Sequence, residues 1–302
     1  MKQSPRFDFE SAWRVALEFR SYAFLVLHEG VIHFERYANG GQVNRPTGLA
    51  SGSKSFVGPL ALCAVQDGLF RSLDERVAET VPEWRADPRK SRITLRHLLN
   101  LTSGLSGSPT TNWISYEEAL SQPARWEPGT HFAYSPIPFL AFGGVLTRKL
   151  RSETVESYLN RRLFDPLGIK VSWQTTRGGA GEIALPGGAN TTAREWATYG
   201  QFLLQQGVWQ GRKLLPEAAL QQCYHATSAN PAYGLTFWLN VEPNFNGRGA
   251  ITRKNFAMAA GLGGQRLYLL FDIATAVVRL GPFGVPNFQD VTLLKALLPD
   301  FF

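Results

Sequence analysis

Apolar residues at helical spacing fill most of the middle of the chain. An apolar run over 56–65 follows the tetrapeptide Ser-Gly-Ser-Lys at 51–54, and its spacing predicts a buried helix that Gly68 ends. The same kind of spacing predicts an amphipathic helix over 8–20. The remaining predicted helices cover residues 71–81, 94–102, 116–119, 139–150, 154–163, 193–206 and 288–298.

Apolar runs near both ends of the chain predict β-strands. Two such runs on either side of the Glu-Gly pair at 29–30 predict a β-hairpin. In the last third, residues 234–241 have alternating aromatic side chains, which indicates a strand. Residues 266–271 and 275–280 are also predicted strands, and the pair 272–273 is the predicted turn between them.

Strands from both ends and helices from the middle predict an α+β fold of the α/β sandwich type. We expect an antiparallel sheet built from residues 20–38 and 233–281, flanked by helices, with an all-helical domain inserted. Residues 170–190 are glycine-rich and are predicted to form a loop. A cleft between the two parts is the expected place for a site, and Ser51 lies at that boundary. The chain is predicted to be one unit, 1–302, with an α/β part (1–60 and 185–302) and a mainly helical part (61–184).

Composition and charge exclude several classes of protein. The chain has 302 residues, of which 44% are hydrophobic and 18% charged, so it can bury a substantial core and is not of the disordered class. The formal charge is +7, but the basic residues are scattered and not interleaved with aromatics. A solvated basic face is therefore predicted instead of a nucleic-acid-binding surface. No apolar stretch reaches about 18 residues, so no membrane span is predicted.

Cysteine, histidine and the chain start leave the compartment open. Cys63 falls in the predicted buried helix and is expected to be a buried thiol, while a disulfide with Cys223 is neither required nor excluded. The five histidines lack metal-ligand spacing, so we expect no metal and no other cofactor. The first residues lack an apolar signal-peptide core. The expected location is the cytoplasm, or the periplasm or outside of the cell if a signal peptide was removed.

Ser51 and Lys54 are the first candidates for chemistry. A helix that begins at Ser51 would place Lys54 one turn later on the same face. The field at a helix start disfavours an ammonium group, so the Lys54 pKa would fall and the amine could accept a proton. A serine hydroxyl needs such a base to become a good nucleophile. The alternative is an N-cap serine beside a solvated lysine.

Three further segments resemble motifs of one protein family, and they follow Ser51 and Lys54 in the order that the family has. Residues 93–105 read Ile-Thr-Leu-Arg-His-Leu-Leu-Asn-Leu-Thr-Ser-Gly-Leu, and residues 127–135 read Glu-Pro-Gly-Thr-His-Phe-Ala-Tyr-Ser. Residues 187–195 read Gly-Gly-Ala-Asn-Thr-Thr-Ala-Arg-Glu. With the Ser-x-x-Lys motif, the chain resembles the serine β-lactamase and penicillin-binding-protein superfamily. Within it, the chain resembles the branch of esterases, D-aminopeptidases and 6-aminohexanoate-dimer (nylon-dimer) hydrolases.

The resemblance implies a role for each matched residue. Ser51 would be the nucleophile, Lys54 the proton acceptor, and Tyr134 the partner base and acid. The oxyanion donors would be the backbone N–H groups of Ser51 and Leu262, with Gly261 matching the glycine of the third motif. The alternatives are a core tyrosine with a satisfied hydroxyl at 134 and glycines that only shape a strand bend.

Two departures from the family pattern bear on the substrate. Ala259 and Ala260 stand where the third motif has a cationic and a hydroxyl residue, so a substrate carboxylate finds no charge-assisted bond there. Pro136 replaces an asparagine two residues after the matched tyrosine. We therefore expect a serine hydrolase that acts through an acyl-enzyme on a small-molecule ester or amide, as carboxylesterases and nylon-dimer hydrolases do. The alternatives are a weak β-lactamase or D-amino-acid peptidase, and a penicillin-binding-like module without turnover. The oligomeric state is left open.

Overall fold

The central sheet draws its strands from both ends of the chain. The computed structural model describes residues 5–107, 112–239, 255–284 and 288–300. In chain order its strands are β1 (Ala23–His28), β2 (Val31–Tyr37), β3 (Thr47–Gly48), β4 (Ser172–Trp173), β5 (Ala189–Thr191), β6 (Val208–Trp209), β7 (Arg212–Lys213), β8 (Trp238–Leu239), β9 (Phe256–Gly261), β10 (Gln265–Leu270) and β11 (Thr275–Leu280). Six of them form one sheet in the order β2-β1-β11-β10-β9-β8, and every neighbouring pair is antiparallel. The predicted antiparallel sheet is confirmed.

Helices cover both faces of this sheet. The α-helices are α1 (Phe9–Glu18), α2 (Val57–Gln66), α3 (Leu95–Leu99), α4 (Tyr116–Ser121), α5 (Ile137–Leu150), α6 (Val155–Leu159), α7 (Asp165–Leu167), α8 (Ala193–Leu204), α9 (Glu217–Gln221) and α10 (Asp290–Leu297). Helix α8 packs on β1, β10 and β11, with Gly200 against the side chains of Leu267 and Leu269. Helices α1 and α10 pack together, and Asp290 of α10 bonds Arg266 and Tyr268, whose side chains alternate with those two leucines. Strands β10 and β11 are therefore buried along their whole length.

Helices α2 to α7 fill the chain between the sheet strands, as the apolar spacing predicted. Helix α2 is buried along nearly its whole length, and a π-helical stretch, Asn160–Phe164, links α6 to α7. The division of the chain at residues 60/61 and 184/185 stays a prediction. Among the described residues, no helix is both long and apolar enough to cross a membrane.

The predicted helix over 71–81 is wrong, because its capping residues stabilise turns. The Glu75 carboxylate accepts from the Arg71 backbone N–H at 2.8 Å, and Ser72 Oγ accepts from the Asp74 N–H at 3.1 Å. Only Val77–Glu79 forms a short 3-10 helix. Ser and Glu side chains that bond nearby backbone groups compete with a helix as readily as they cap one.

The predicted loop over 170–190 contains two short strands. Strand β4 pairs with β5, and β5 pairs with β3, which lies just before Ser51. Strands of two or three residues carry too little alternation to be detected in a sequence. The pairing matters because it ties the glycine-rich segment to the chain that leads into the nucleophile.

The strands in the last third of the chain also differ in detail from the prediction. Of the predicted strand 234–241, only Trp238 and Leu239 are strand, and residues 240 and 241 lie outside the described residues. Thr236 has φ +71°, a left-handed conformation that turns the chain just ahead of β8. Strand β9 was not predicted from alternation, because its Ala and Gly residues give no strong β signal.

Candidate active site

Ser51 and Lys54 lie on a 3-10 helix, Ala50–Phe56, that leads directly into α2. The expected α-helix therefore begins at Val57 and not at Ser51. With three residues per turn, a 3-10 helix places the side chains at i and i+3 one above the other. This alignment suits Ser51 and Lys54 better than an α-helix would. Ala50, just before the serine, is in the left-handed region with φ +46°.

The Lys54 amine is enclosed and points at Ser51. Its Nζ lies 2.9 Å from Ser51 Oγ and donates to the Pro186 carbonyl at 2.6 Å. The residue is 4% exposed, and the rings of Tyr134 and Phe139 lie 5.0 Å and 5.5 Å from Nζ. Burial lowers the pKa of Lys54 to about 7. The field of a helix start predicted a lowered pKa for Lys54, but the cause in the structure is burial.

Pro186 is a site residue that sequence reasoning missed. It precedes the family segment at 187–195, and its carbonyl is the second partner of the lysine amine. A carbonyl accepts a hydrogen bond from either form of the amine, so this contact fixes Nζ in position without requiring a charge. The paired strands β4 and β5 hold this part of the chain beside the 3-10 helix. The neighbouring motif was the one signal in the sequence that pointed to this region.

Tyr134 lies just before α5, and its ring is 5.0 Å from Lys54 Nζ. Although the residue is 42% exposed, burial around its hydroxyl group raises the pKa of Tyr134. The side chains of Ser51 and Trp238 and the charge of Arg266 partly offset that rise. Tyr134 therefore holds its proton near neutral pH, where Lys54 begins to lose its own.

Trp238 is the second site residue that the sequence did not reveal. Its indole stacks on the Tyr134 ring at 5.5 Å with an interplanar angle of 24°. Tyr233 meets the Trp238 ring edge-on at 4.9 Å, and Phe132 lies 5.3 Å from Tyr233. These four rings form an aromatic wall that fixes the plane of the tyrosine. The aromatic alternation at 234–241 indicated a strand but not this contact.

Strand β9 ends against the helix that carries the serine. A Cβ atom on Gly261 would lie 2.0 Å from the Leu49 carbonyl oxygen and 3.0 Å from the Gly52 nitrogen. No side chain fits there, so a glycine is required for the close approach. Leu262 follows and is 70% exposed. Gly263 then turns the chain with φ +77°. The residues predicted to form the oxyanion hole are thus next to the 3-10 helix.

The residues that depart from the family pattern are apolar and lie at or near the protein interior. Ala259 is 2% exposed and pairs with Leu267, while Ala260 pairs with Arg266 across the hairpin. Pro136 is buried and caps α5 without a side-chain hydrogen bond. This edge of the cleft presents no charge to a substrate at those positions.

The other sequence candidates lie away from this cleft. Cys63 and Cys223 are free and buried, and burial raises the pKa of Cys63 to about 12, so the disulfide that was left open is absent. His97 belongs to the capping box of α3, where Thr94 is the N-cap. Over the described ranges, no group of three or more His, Cys, Asp or Glu side chains is placed to hold a metal ion.

The hydroxyl, amine and phenol together can move protons around one oxygen atom. Lys54 can take the Ser51 proton because its pKa lies near neutrality, and Tyr134 has a proton to return because its raised pKa keeps the phenol protonated at that pH. Groups whose pKa values are pushed apart in this way are typical of acid and base pairs. The arrangement is suited to nucleophilic attack by Ser51 on a carbonyl group.

The chain is similar in sequence to fungal enzymes of ester chemistry. It is 30% identical over 158 residues to the monacolin J acid methylbutanoyltransferase of Aspergillus terreus, covering 42% of this chain and 38% of the relative. It is 30% identical over 152 residues to the lovastatin esterase of Penicillium rubens, covering 40% of this chain and 37% of the relative. The chain thus matches well under half the length of these curated relatives.

A solved structure and a family profile extend the comparison over most of the chain. The putative 6-aminohexanoate-dimer hydrolase from Bacillus anthracis superposes with a TM-score of 0.73, at 18% identity, covering 94% of this chain and 78% of that one. At this identity the likeness shows the fold alone, which confirms the predicted architecture. The profile of the Beta-lactamase family matches residues 9–278. The resemblance drawn from the motifs is therefore confirmed, and the chain belongs to the Beta-lactamase family.

Proposed function

We propose that this protein is a serine hydrolase that cleaves small, uncharged esters or amides through an acyl-enzyme on Ser51. The observation that carries the proposal is the buried Lys54 amine, 2.9 Å from Ser51 Oγ, with a pKa near 7. An amine that is partly neutral at physiological pH can remove the hydroxyl proton as the oxygen attacks. A solvated lysine at an N-cap serine, the alternative from the sequence, would have neither property.

Acylation follows from the positions of the three side chains. Ser51 Oγ attacks the substrate carbonyl while its proton passes to Lys54 Nζ, which gives a tetrahedral oxyanion. The backbone N–H groups of Ser51 and Leu262 donate hydrogen bonds that stabilise this negative oxygen. The carbon–oxygen or carbon–nitrogen bond to the leaving group then breaks, and Tyr134 supplies the proton that the leaving group takes. Lys54 then returns its proton to Tyr134 through water, which restores both groups to their starting protonation states.

Deacylation repeats these steps with water in place of the serine. The same base removes a proton from water, the hydroxide attacks the acyl carbon, and Ser51 leaves with a proton from the partner acid. The products are a carboxylic acid and free enzyme. No added cofactor is required for either half of the reaction.

The substrate class follows from what the cleft edge lacks and what it exposes. Ala259 and Ala260 give no charge-assisted bond to a substrate carboxylate. Leu262 and Phe283 are exposed apolar residues, 70% and 53%, beside the turn that ends β9. An uncharged acyl group with apolar carbon fits such an edge better than a penicillin or a peptidoglycan stem does.

Transfer of the acyl group to an alcohol is a second candidate activity. One curated relative is by name a methylbutanoyltransferase and another an esterase, so acyl transfer and ester hydrolysis both occur among the names of the relatives. An alcohol can replace water in deacylation without any further residue, since the same base would remove its proton. Hydrolysis and transfer then differ only in which acceptor reaches the acyl-enzyme.

The proposal is tested with a short-chain p-nitrophenyl ester, the matching anilide and a chromogenic cephalosporin. We expect turnover of the ester by the wild type and loss of nearly all of it in Ser51→Ala. Ser55→Ala is the matched control. That serine lies on the same helix, but its hydroxyl donates to the backbone carbonyl of Gly52 and not to the proposed catalytic groups. Added alcohol should divert part of the acyl group into a new ester.

Other outcomes would decide between the alternatives. Faster opening of the cephalosporin than of the ester would favour the β-lactamase reading, and preference for a D-amino-acid amide would favour a peptidase. An inert wild type that also resists a fluorophosphonate would contradict the proposal and favour a binding module without turnover.

A further inference from the structure

The peptide unit between Gly261 and Leu262 has two polar ends that face opposite sides of the hairpin turn. Its N–H, on Leu262, is the second oxyanion donor in the proposed mechanism. Its carbonyl, on Gly261, accepts a hydrogen bond from Arg266 Nη1 at 3.0 Å. Because a peptide unit is planar, whatever fixes the carbonyl also fixes the direction of the N–H.

Arg266 is buried and held in one position by several partners. It is 1% exposed, and its Nη1 also donates to the Gln265 carbonyl at 3.0 Å. Its Nε and Nη2 donate to the two carboxylate oxygens of Asp290 at 2.5 Å and 3.2 Å. Tyr268 donates to the same carboxylate at 2.7 Å. A bidentate pair of this kind holds a guanidinium plane in a fixed orientation.

A cation on the carbonyl also strengthens the N–H at the other end of the peptide. Hydrogen bonds in a chain polarise one another, and the effect is larger where the surroundings exclude water. A guanidinium group that bonds the Gly261 oxygen draws electrons from the amide, so the Leu262 N–H becomes a better donor. The family motif places a cation where this chain has Ala259. Arg266, on the neighbouring strand β10, brings a positive charge to the same end of β9 through its bond to the Gly261 carbonyl.

We propose that Arg266 is a positioning residue for the oxyanion hole: it fixes and polarises the 261–262 peptide through the Gly261 carbonyl. This inference rests on the proposed acyl-enzyme function. The Arg266 charge also lowers the pKa of Tyr134, which burial raises, so the guanidinium acts on both polar groups beside the serine. Arg266 itself is 1% exposed, so it is not placed to touch a substrate directly.

The test compares three variants by kcat, KM and the affinity for an alkyl boronic acid. A boronic acid adds to the serine oxygen as a tetrahedral anion with an oxygen where the oxyanion forms, whereas KM for the anilide, whose acylation is the slow step, reports mainly binding of the uncharged substrate. Arg266→Gln removes the charge, and Arg266→Lys keeps the charge but cannot hold both Asp290 and Gly261. Tyr268→Phe is the control, because it removes a bond to Asp290 and leaves the Gly261 contact in place.

We expect Arg266→Gln to lower kcat about 10- to 100-fold and to weaken boronic acid binding by a similar factor, with KM changed by less than about twofold. Arg266→Lys should recover part of both losses, and Tyr268→Phe should stay within about twofold of the wild type. A folded Arg266→Gln variant with wild-type kcat and boronic acid affinity would overturn the inference. So would a rise in KM as large as the loss of affinity for the boronic acid.

Failure of Arg266→Gln to fold and inactivity of the wild type have separate consequences. If Arg266→Gln does not fold, the same comparison is made with Arg266→Lys, where an unchanged kcat overturns the inference and a matched loss of kcat and boronic acid affinity supports it. If the wild type itself neither turns over esters nor binds the boronic acid, the proposed function fails, and this inference fails with it. If the wild type is active and the Arg266 variants behave like it, this inference is rejected and the proposed function stands.

Discussion

Lys54 is the residue whose environment carries the proposed chemistry of the site. Burial among Tyr134, Phe139 and the 3-10 helix removes water from an ammonium group whose oxygen partners, among the described residues, are Ser51 Oγ and the Pro186 carbonyl. Neither partner carries a negative charge to compensate. The charged form therefore costs free energy, and the neutral form is the one that can act as a base.

The first prediction is a pH profile governed by this amine. Because the pKa of Lys54 is lowered to about 7 and the neutral form is active, kcat/KM for an uncharged ester should rise with pH and level off above about 8. Initial rates between pH 5.5 and 9 with a substrate that has no titratable group would measure it. A profile that is flat, or that falls across pH 7, would contradict the role given to Lys54.

At this scale the sequence named the candidate groups of the proposed mechanism but not the contacts that hold them in place. Ser51 and Lys54 were named from their spacing and Tyr134 from the family resemblance, and the structure places Lys54 beside both Ser51 and the Tyr134 ring. Pro186 and Trp238 were missed, because a backbone carbonyl and a ring contact between distant segments leave no local pattern. The lowered pKa of Lys54 was expected for the wrong reason, since burial is a property of the packed fold.

The contact between β9 and the 3-10 helix is the element pair on which the site depends. Strand β9 presents Gly261 to Leu49 and Gly52 at distances that leave no room for a methyl group. The same strand end carries Leu262 into the cleft. The position of the proposed oxyanion donor is thus set by how two elements pack, and not by a flexible loop.

The second prediction concerns that packing. Gly261→Ala should place a Cβ 2.0 Å from the Leu49 oxygen, so the strand must move away from the helix. We expect a loss of about 2 kcal/mol or more in unfolding free energy and a fall in kcat of at least tenfold. Gly284→Ala is the matched control, because its Cβ would meet nothing within 4 Å and should change neither quantity.

Urea unfolding and ester hydrolysis of both variants would measure the effect. If Gly261→Ala keeps wild-type stability and kcat, then β9 is not held against the nucleophile as described. If both alanine variants lose the same amount, the effect is not specific to this contact.

Long elements were predictable from the sequence and short ones were not. Helix α8 with its Thr192 cap and strands β10 and β11 carry enough apolar positions for one periodicity to dominate. The helix predicted over 71–81 failed because its capping residues stabilise turns. Strands β4 and β5 were missed because two or three residues cannot show a period, yet they brace the segment that contains Pro186.

The whole molecule is arranged so that the two ends of the chain complete one sheet. Strand β1 pairs with β11, and α1 packs on α10, so the beginning and the end of the described chain share one core. This topology was predictable, because apolar strand patterns occurred only near the ends. What the pattern could not supply was the buried Arg266–Asp290 pair beneath the sheet, since each residue alone looks like a surface charge.

The third prediction is a stability that depends on pH through Lys54. Its pKa in the folded state is below the value of about 10.5 in the unfolded chain, so between about pH 7 and 10.5 the unfolded state binds more protons. The stability of the wild type relative to Lys54→Met should therefore rise across that window, by an amount on the order of a few kcal/mol. Below about pH 7 the difference should be constant.

Urea titrations of both proteins at several pH values would test this. Taking the difference between the two variants removes every other titrating group that they share. A difference that does not change between pH 7 and pH 10 would mean that Lys54 is not buried with a lowered pKa.

The most direct test of the central claim is an intact-mass measurement of the protein mixed with a slowly hydrolysed p-nitrophenyl ester and quenched in acid. We predict a mass increase equal to one acyl group, lost in Ser51→Ala, retained in Ser55→Ala, and located by peptide mapping on Ser51. An acyl group on any other residue, or ester turnover in Ser51→Ala at the wild-type rate, would contradict the acyl-enzyme mechanism.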